Sequence, residues 1–283
     1  MSGTLFVVAT PIGNLGDITL RAVETLRAVD RVLAEDTRRT LTLLNHLGIV
    51  AKPLERLDAH APEGVIERAV ERLVSGEKLA LVTDAGTPVV SDPGTLLVKR
   101  AADRGVHIVP IPGASAVLAA IAGSGLVSGG FRFVGFLPRG GPARREALER
   151  VASTEEAAVL FESPERTQAT LRDIAGLSPE RPATVARELT KVHEEFVRGT
   201  VRELSDRGGT WLGEVTIVLG DRPTKSDEPM LTDAEMERRI DEGFEKKRRA
   251  RDIAEEVALW SGLSKKEVYT KVLERKRVRG GAD

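Results

Sequence analysis

Three loops rich in glycine, proline and small residues stand out as places where chemistry could occur. They are TPIGNLGD from residue 10, DAGTPVVSDPG from residue 84 and IPGAS from residue 111. Small residues let the backbone approach a ligand, and N–H groups at helix starts bind polar groups. The chain has neither GxGxxG after its first strand nor GxxxxGK[ST], the usual nucleotide-binding fingerprints. The loops therefore indicate either a ligand site of another type or ordinary turns between strands and helices.

Residue usage excludes several other kinds of chemistry. The chain has no cysteine, which rules out disulfides, cysteine-ligated zinc, iron–sulfur clusters and thiol nucleophiles. Its four histidines show no HExxH or similar spacing; they are His46, His60, His107 and His193. We therefore expect no dedicated metal site.

The elements that must position the loops alternate between strand and helix. Short apolar, β-branched runs predict strands at 4–9, 31–34, 78–83 and 106–110. Amphipathic stretches predict a helix capped by Asp17 or Thr19 and further helices at 37–47, from Pro62 to Gly76, at 95–104 and at 116–122. This alternation predicts a parallel sheet covered on both faces. Ligands of such sheets bind beyond the carboxyl ends of the strands, where all three loops fall.

The pattern changes after residue 122. Predicted strands at 131–136, 159–162, 184–187 and 215–219 indicate a second α/β domain with a mixed sheet. A polar linker, DRPTKSDEP, leads to a helical segment with Thr232 and Glu235 spaced as a capping box. We predict three domains: 1–122 with a parallel sheet and the loops, 123–222 with a mixed sheet, and 230–283, small, basic and helical.

Composition sets the broad class. The chain has 283 residues and a formal net charge of −1, and no apolar run approaches the roughly 18 residues of a membrane span. Its N-terminus lacks the basic region of a signal peptide. We expect a cytoplasmic protein without membrane association.

Eight sequence blocks, in order, carry a family resemblance. They are TPIGNLGDIT (10–19), AEDTRRT (34–40), TDAGTPVVSDPG (83–94), PGAS (112–115), GFLP (135–138), ESPERT (162–167), ARELTK (186–191) and GEVTIVL (213–219). Through them the chain resembles the tetrapyrrole (corrin/porphyrin) methylase superfamily and, within it, the bacterial 16S rRNA (cytidine-2'-O)-methyltransferases. The resemblance implies two α/β domains, S-adenosyl-L-methionine in the cleft between them, and a homodimer.

The resemblance also implies the residues that hold the cofactor. In the first three loops and in the second domain these are Pro11, Ile12, Gly13, Asp84, Ala85, Gly86, Thr87, Pro88, Gly113, Ala114, Ser115, Ala186 and Glu214. A sulfonium is cationic, so carbonyl oxygens and a nearby carboxylate suit it better than a lysine-bearing phosphate loop.

A ribose 2'-hydroxyl is a poor nucleophile, so a base or an oxyanion-stabilising cation should assist its methylation. The candidates in the resembling blocks are Glu35, Asp36, Arg38, Asp92, Glu162, Arg187, Glu188 and Lys191. Because AEDTRRT lies at the carboxyl end of a strand, we assign Asp36 as base or substrate orienter and Arg38 as a phosphate or oxyanion contact. The alternative is that Asp36 caps a helix, with Arg38 and Arg39 on its solvated face. Glu188 and Lys191 could likewise be a surface ion pair.

The segment from residue 246 to 279 is basic, with twelve Lys and Arg against five Asp and Glu. Phosphate attraction predicts RNA binding there through Lys246, Lys247, Arg248, Arg249, Lys265, Lys266, Arg275, Lys276 and Arg277. A solubilising helical tail is the alternative. The resemblance implies cytidine 1402 of 16S rRNA, within the 30S subunit, as the substrate. Methylation of a tetrapyrrole in corrin or sirohaem synthesis, or a non-catalytic RNA-binding assembly role, are the competing functions.

Overall fold

The computed structural model describes residues 2–90, 94–222, 233–246, 248–261 and 263–280. These residues form two compact units, Met1–Asp221 and Arg222–Asp283. No helix among the described residues is both long and apolar enough to cross a membrane.

The first unit opens with a five-stranded parallel sheet in the order β3-β2-β4-β1-β5. Its strands are β1 (Thr4–Val8), β2 (Arg31–Ala34), β3 (Leu54–Arg56), β4 (Lys78–Val82) and β5 (His107–Ile111). The helices of this half are α1 (Leu20–Ala28), α2 (Thr37–His46), α3 (Glu63–Val74), α4 (Thr95–Asp103) and α5 (Ala116–Ser124). The Thr19 hydroxyl accepts a hydrogen bond from Ala22 N and caps α1, while Asp17 lies in a 3₁₀ turn before it.

Alternating strand residues fill two separate cores, one on each face of this sheet. Leu5 and Leu79 pack on one face, and Val8 and Ala80 pack on the other. Because both faces are covered, the strands are apolar runs rather than alternating apolar and polar residues. The predicted parallel sheet with helices on both faces is confirmed. The short edge strand β3, which is only partly buried, was missed by the sequence prediction.

A second, mixed sheet follows in the order β6-β7-β10-β8-β9. Its strands are β6 (Phe131–Phe136), β7 (Ala157–Glu162), β8 (Pro182–Arg187), β9 (Glu195–Thr200) and β10 (Val215–Leu219). Strands β6 and β7 run parallel and the other neighbours are antiparallel. Helices α6 (Gly141–Ser153), α7 (Pro164–Ala175) and α8 (Val201–Asp206) complete it. Strand β9 was not predicted from the sequence, because it is half-buried and broken by charged residues.

The predicted boundary at residue 122 does not coincide with a break in packing. Helix α5 spans it, and Val117 and Ala120 of that helix share a core with Val159 and Val218 of the second sheet. The two sheets therefore lie in one compact unit, within which 1–122 and 123–222 remain an interpretation by sheet type.

The second unit contains three helices, α9 (Asp233–Glu245), α10 (Ala250–Ser261) and α11 (Lys265–Gly280). Met236, Ile253 and Val268, one from each helix, are buried in its core. Ser264 and Glu267 form a reciprocal capping box at the start of α11. The box predicted at Thr232 lies outside the described residues.

Candidate active site

A cavity of about 410 Å³ lies where the carboxyl ends of strands from both sheets meet within the first unit. This volume falls in the range of small-molecule and cofactor sites. One wall comes from the loops after β1, β2, β4 and β5, and the other from the ends of β6 and β7 and the start of β10. The residues around this cleft include Ile12, Glu35, Arg39, Asp84, Ala85, Gly86, Thr87, Ser115, Phe136, Phe161, Glu162, Gly213, Glu214 and Thr216.

Strand order brings the three glycine- and proline-rich loops together, because β4, β1 and β5 are neighbours. Thr10 and Gly86 exchange backbone hydrogen bonds, with N···O distances of 2.8 and 3.0 Å. The Thr87 hydroxyl donates to the carbonyl of Ala114 at 3.3 Å. Gly86 has a φ of +87°, and a Cβ there would approach Ile12 to 3.3 Å. The loop that starts at Asp84 is thus hydrogen-bonded to the loops after β1 and β5. The positive φ and the nearby Ile12 side chain favour glycine at residue 86.

Seven of the thirteen predicted cofactor residues line the cleft: Ile12, Asp84, Ala85, Gly86, Thr87, Ser115 and Glu214. The others stand beside or behind it: Pro11, Gly13, Pro88, Gly113, Ala114 and Ala186. A Cβ on Gly13 would lie 2.5 Å from Lys191 Cγ, and one on Gly113 would lie 3.0 Å from the Ala9 Cβ. Ala186 is buried in β8, opposite the cleft residue Thr216 of β10. Gly13, Gly113, Ala114 and Ala186 therefore support the walls of the cleft through close packing.

Two carboxylates share one end of the cleft. The Thr83 hydroxyl donates to Glu35 Oε2 at 2.7 Å, and the Asp36 N–H donates to Asp84 Oδ1 at 3.0 Å. Burial and the negative charge of Glu35 raise the pKa of Asp84, against the opposing effect of Arg39, whose Nη1 lies 3.4 Å from Asp84 Oδ2. An additional positive group in the cleft would relieve this repulsion. The site therefore fits a ligand that carries a cationic centre.

Asp36 and Arg38 are paired to each other at the start of α2. Asp36 Oδ1 accepts the Arg38 backbone N–H at 2.8 Å and so caps the helix. The Arg38 guanidinium donates to both carboxylate oxygens, with Nη2···Oδ2 at 2.9 Å. These hydrogen bonds, the side-chain one first, hold the pKa of Asp36 far below its usual range. Neither residue is among those lining the cleft, so their catalytic assignment stays a prediction.

The opposite rim carries a cation between two acids. Lys191 Nζ lies 2.9 Å from Glu188 Oε1 and 3.2 Å from Glu214 Oε2. Glu188 also accepts the backbone N–H of Glu214 at 2.9 Å. Glu188 and Thr190 both have positive φ, which only surrounding contacts can maintain in non-glycine residues. The ARELTK segment is therefore a rigid support for Glu214 of the cleft.

The sequence analysis predicted neither Phe136 at the end of β6 nor Phe161 at the end of β7, and both line the cleft beside the candidate Glu162. Glu162 is buried, and its carboxylate accepts hydrogen bonds from the Thr170 hydroxyl at 2.7 Å and the Ser163 N–H at 3.0 Å. The signal that could have found the two phenylalanines is the position of Phe136 within GFLP and of Phe161 directly before ESPERT, both at strand ends. The described residues include no cluster of three or more His, Asp or Glu suited to a metal.

The second unit presents several of the predicted RNA-binding cations to solvent. Lys246, Arg249, Lys266, Lys276 and Arg277 are exposed and form no ion pair with a described carboxylate. Three others are paired within the unit: Arg248 with Glu256, Lys265 with Glu255 at 2.9 Å, and Arg275 with Asp241 at 2.7 Å. Lys247 lies outside the described residues.

Comparison with known proteins identifies the family. The model of the tetrapyrrole (corrin/porphyrin) methylases matches residues 4–205. A protein of Halalkalibacterium halodurans named ribosomal RNA small subunit methyltransferase I is 40% identical over 275 residues, 94% of this chain and 93% of that protein. A protein of the same name from Synechocystis is 42% identical over 265 residues, covering 91% and 94%.

A third protein of that name, from Thermotoga maritima, is 47% identical over 219 residues. The match covers 98% of that protein but 77% of this chain, so about a quarter of this chain has no counterpart there.

Solved structures show the same fold at lower identity. A diphthine synthase has a TM-score of 0.58 at 20% identity and covers 77% of this chain and 90% of its own. A uroporphyrin-III C-methyltransferase of Thermus thermophilus, complexed with S-adenosyl homocysteine, has a TM-score of 0.56 at 19% identity, covering 77% and 97%. The chain therefore belongs to the tetrapyrrole (corrin/porphyrin) methylase family, in the branch that contains the ribosomal RNA small subunit methyltransferase I proteins.

Proposed function

We propose that this protein transfers a methyl group from S-adenosyl-L-methionine to the ribose 2'-hydroxyl of a cytidine in 16S rRNA. The observation that carries the proposal is near full-length similarity to relatives named ribosomal RNA small subunit methyltransferase I, together with a cofactor-sized cleft made from the motifs shared with that family. The structural likeness to uroporphyrin-III methyltransferase is below 25% identity and supports the fold alone.

The cleft is suited to this cofactor. Asp84 and Glu35 supply negative charge at one end, and Ile12, Val117 and Phe161 supply apolar surface. S-adenosyl-L-methionine carries a sulfonium and an ammonium, and opposite charge within a few ångströms of a partly buried carboxylate is favourable. When bound, the cofactor would supply an activated methyl group. Seven of the thirteen cofactor residues predicted from the sequence line this cleft, which supports the proposal.

Of the two roles left open for Asp36, we favour substrate orientation over proton removal. Its carboxylate is occupied by Arg38, and a carboxylate with a lowered pKa is a weaker base. Arg38 is exposed and would contact a phosphate of the RNA. Positioning of the 2'-hydroxyl would then supply much of the rate, because methyl transfer requires an in-line approach.

The exposed cations of the second unit would attract the phosphates of rRNA within the 30S subunit, the substrate we favour. A homodimer is the assembly that the resemblance implies, and the cytoplasm is the compartment where 30S subunits occur. These are parts of the same proposal.

The deciding experiment incubates the protein and radiolabelled S-adenosyl-L-methionine with 30S subunits that lack the modification and, separately, with uroporphyrinogen. We expect label in 16S rRNA, mapped to one ribose by nuclease digestion and mass spectrometry, and none in the tetrapyrrole. Label in uroporphyrinogen and none in rRNA would overturn the proposal. Failure to bind the cofactor by calorimetry would instead support a non-catalytic role.

A further inference from the structure

The mouth of the cleft carries a largely exposed aromatic side chain. Phe136 is the last residue of β6 and lines the cleft, yet 61% of its surface is exposed. Its neighbour on the adjacent strand, Phe161, lies with its ring centroid 5.5 Å away and is itself packed against Phe133 at 5.0 Å. Phe161 thus supports one edge of the exposed ring, while the rest of that ring remains open.

The backbone that follows Phe136 is held firmly. Arg166 Nη2 donates to the carbonyls of Leu137 and Pro138 at 3.2 and 3.1 Å, and Arg144 Nη1 donates to Pro138 at 3.3 Å. Both arginines are anchored in turn, Arg144 on Asp173 at 2.8 Å and Arg166 near Glu162 at 3.5 Å. Leu137 is buried directly beside the exposed ring. The position of Phe136 is therefore fixed before any ligand arrives, which lowers the entropic cost of binding on it.

A positive charge follows within a short stretch of chain. Arg139 comes three residues after Phe136, is exposed and has no ion pair with a described carboxylate. An open aromatic ring with a cation nearby is the combination by which proteins hold single-stranded nucleic acid, the ring stacking on a base and the cation contacting a phosphate. Phe136 is 61% exposed and lines the cleft, so its open face is accessible to a second ligand at the cleft mouth.

From this geometry we infer that Phe136 is the stacking platform for the nucleobase of the RNA substrate, or of its neighbour in the strand, and that Arg139 contacts the adjoining phosphate. The inference rests on the proposed function and names the surface that positions the RNA at the cleft. Sequence-specific recognition of RNA targets unstacked nucleotides, and a rigid aromatic ring at the cleft mouth would compensate such a base for its lost stacking.

The test compares Phe136→Ala with Phe136→Tyr and with Phe131→Ala. Phe131 is the matched control, since it opens the same strand, is 40% exposed and does not line the cleft. Methylation kinetics on 30S subunits and the Kd for S-adenosyl-L-methionine by calorimetry are measured for each variant. We expect Phe136→Ala to lower kcat/KM for the RNA by about 5- to 150-fold, the range for loss of one base–aromatic stack, with the cofactor Kd unchanged. Phe136→Tyr should retain most of the wild-type kcat/KM for the RNA, and Phe131→Ala should behave as the wild type.

Two outcomes would overturn the inference. A parallel loss of cofactor affinity in Phe136→Ala would place the ring on the cofactor, and unchanged kcat/KM would make it a passive surface residue. If the wild-type protein methylates no rRNA, the proposed function and this inference both fail. If the wild-type protein methylates rRNA and Phe136→Ala is unaffected, this inference alone fails.

Arg139→Gln gives a second measurement. The magnitude of the slope of log affinity for RNA against log salt should fall by about 0.7 to 0.9, and an unchanged slope would show that Arg139 does not contact the phosphate.

Discussion

Asp36 shows how the partners of one side chain restrict the chemistry it can perform. The residue type and its place after a strand are compatible with a base, a helix cap or a substrate contact. In the folded chain its carboxylate accepts three hydrogen bonds from Arg38, one of them from the backbone, and its pKa is strongly lowered. Near neutral pH it is a poor proton acceptor, because the charged form is the stabilised one. Asp84, with a raised pKa and a place in the cleft wall, lies in the opposite environment.

We expect Asp36→Asn to bind S-adenosyl-L-methionine normally and to lower kcat on 30S subunits by less than about tenfold, since loss of a true general base costs about 10²- to 10⁴-fold. Asparagine still caps a helix, so α2 should remain intact. Asp58→Asn is a matched control, because Asp58 also accepts an N–H two residues ahead and pairs with an arginine, Arg56, away from the cleft. A fall of 100-fold or more in kcat, specific to Asp36→Asn, would reinstate the base assignment.

At the scale of elements, a buried arginine joins the second sheet to its helix. Arg181 is 2% exposed and donates to the carbonyls of Val151 in α6 at 2.8 Å, Glu156 before β7 at 2.7 Å and Gly220 after β10 at 2.8 Å. Buried carbonyls need partners, and a buried guanidinium is tolerated only when it is fully hydrogen-bonded. Arg181 thereby links α6, the residue before β7 and the residue after β10. Strands β7 and β10 contribute residues to the cleft wall at their opposite ends.

We predict that Arg181→Met lowers the free energy of unfolding by about 3 to 5 kcal/mol, because it leaves three carbonyls without this donor, two of them in buried hydrogen bonds. Urea denaturation followed by circular dichroism would measure the change. Arg150→Met serves as the control, since Arg150 lies on exposed α6 surface and forms a single ion pair with Glu146; its loss should change stability by about 0.5 kcal/mol or less. A change below about 1 kcal/mol for Arg181→Met would contradict the structural role given to it.

At the scale of the whole molecule, charge is distributed unequally along the chain. The overall charge is −1, whereas residues 246–279 have a clear excess of cations, so the remainder is acidic. The second unit exposes Lys246, Lys266 and Lys276, while the residues that line the cleft all belong to the first unit. We therefore predict that the basic helical unit contributes to substrate affinity rather than to the methyl transfer itself.

Replacement of Lys246, Lys266 and Lys276 together by glutamine should weaken binding to 30S subunits and leave the cofactor Kd unchanged. Each lost phosphate contact lowers the salt slope by about 0.7 to 0.9, so a reduction of about 2 to 3 is expected if all three participate. The same change at three exposed cations of the first unit, Arg21, Arg68 and Lys99, controls for net charge. Equal effects of the two triple variants, or none from either, would favour the solubilising-tail interpretation.

The sequence by itself determined the alternation of strands and helices, the mixed character of the second sheet and the position of the three loops at strand ends. These follow from local rules, since apolar periodicity, caps and glycines act over a few residues. Family membership was likewise readable from the ordered motifs. The edge strands β3 and β9 were not predicted, because strands that are partly buried and contain charged residues show only a weak hydrophobic pattern.

Only the tertiary structure decided which of these residues share a site. The order β4-β1-β5 makes neighbours of loops about 75 and 30 residues apart, as the bonds of Thr10 to Gly86 and of Thr87 to Ala114 record. Packing of α5 on the second sheet closes the cleft across the predicted boundary. The ion pair of Asp36 and the exposed ring of Phe136 likewise depend on which atoms surround each side chain. Long-range pairing and burial depend on the whole fold, and a local pattern does not encode them.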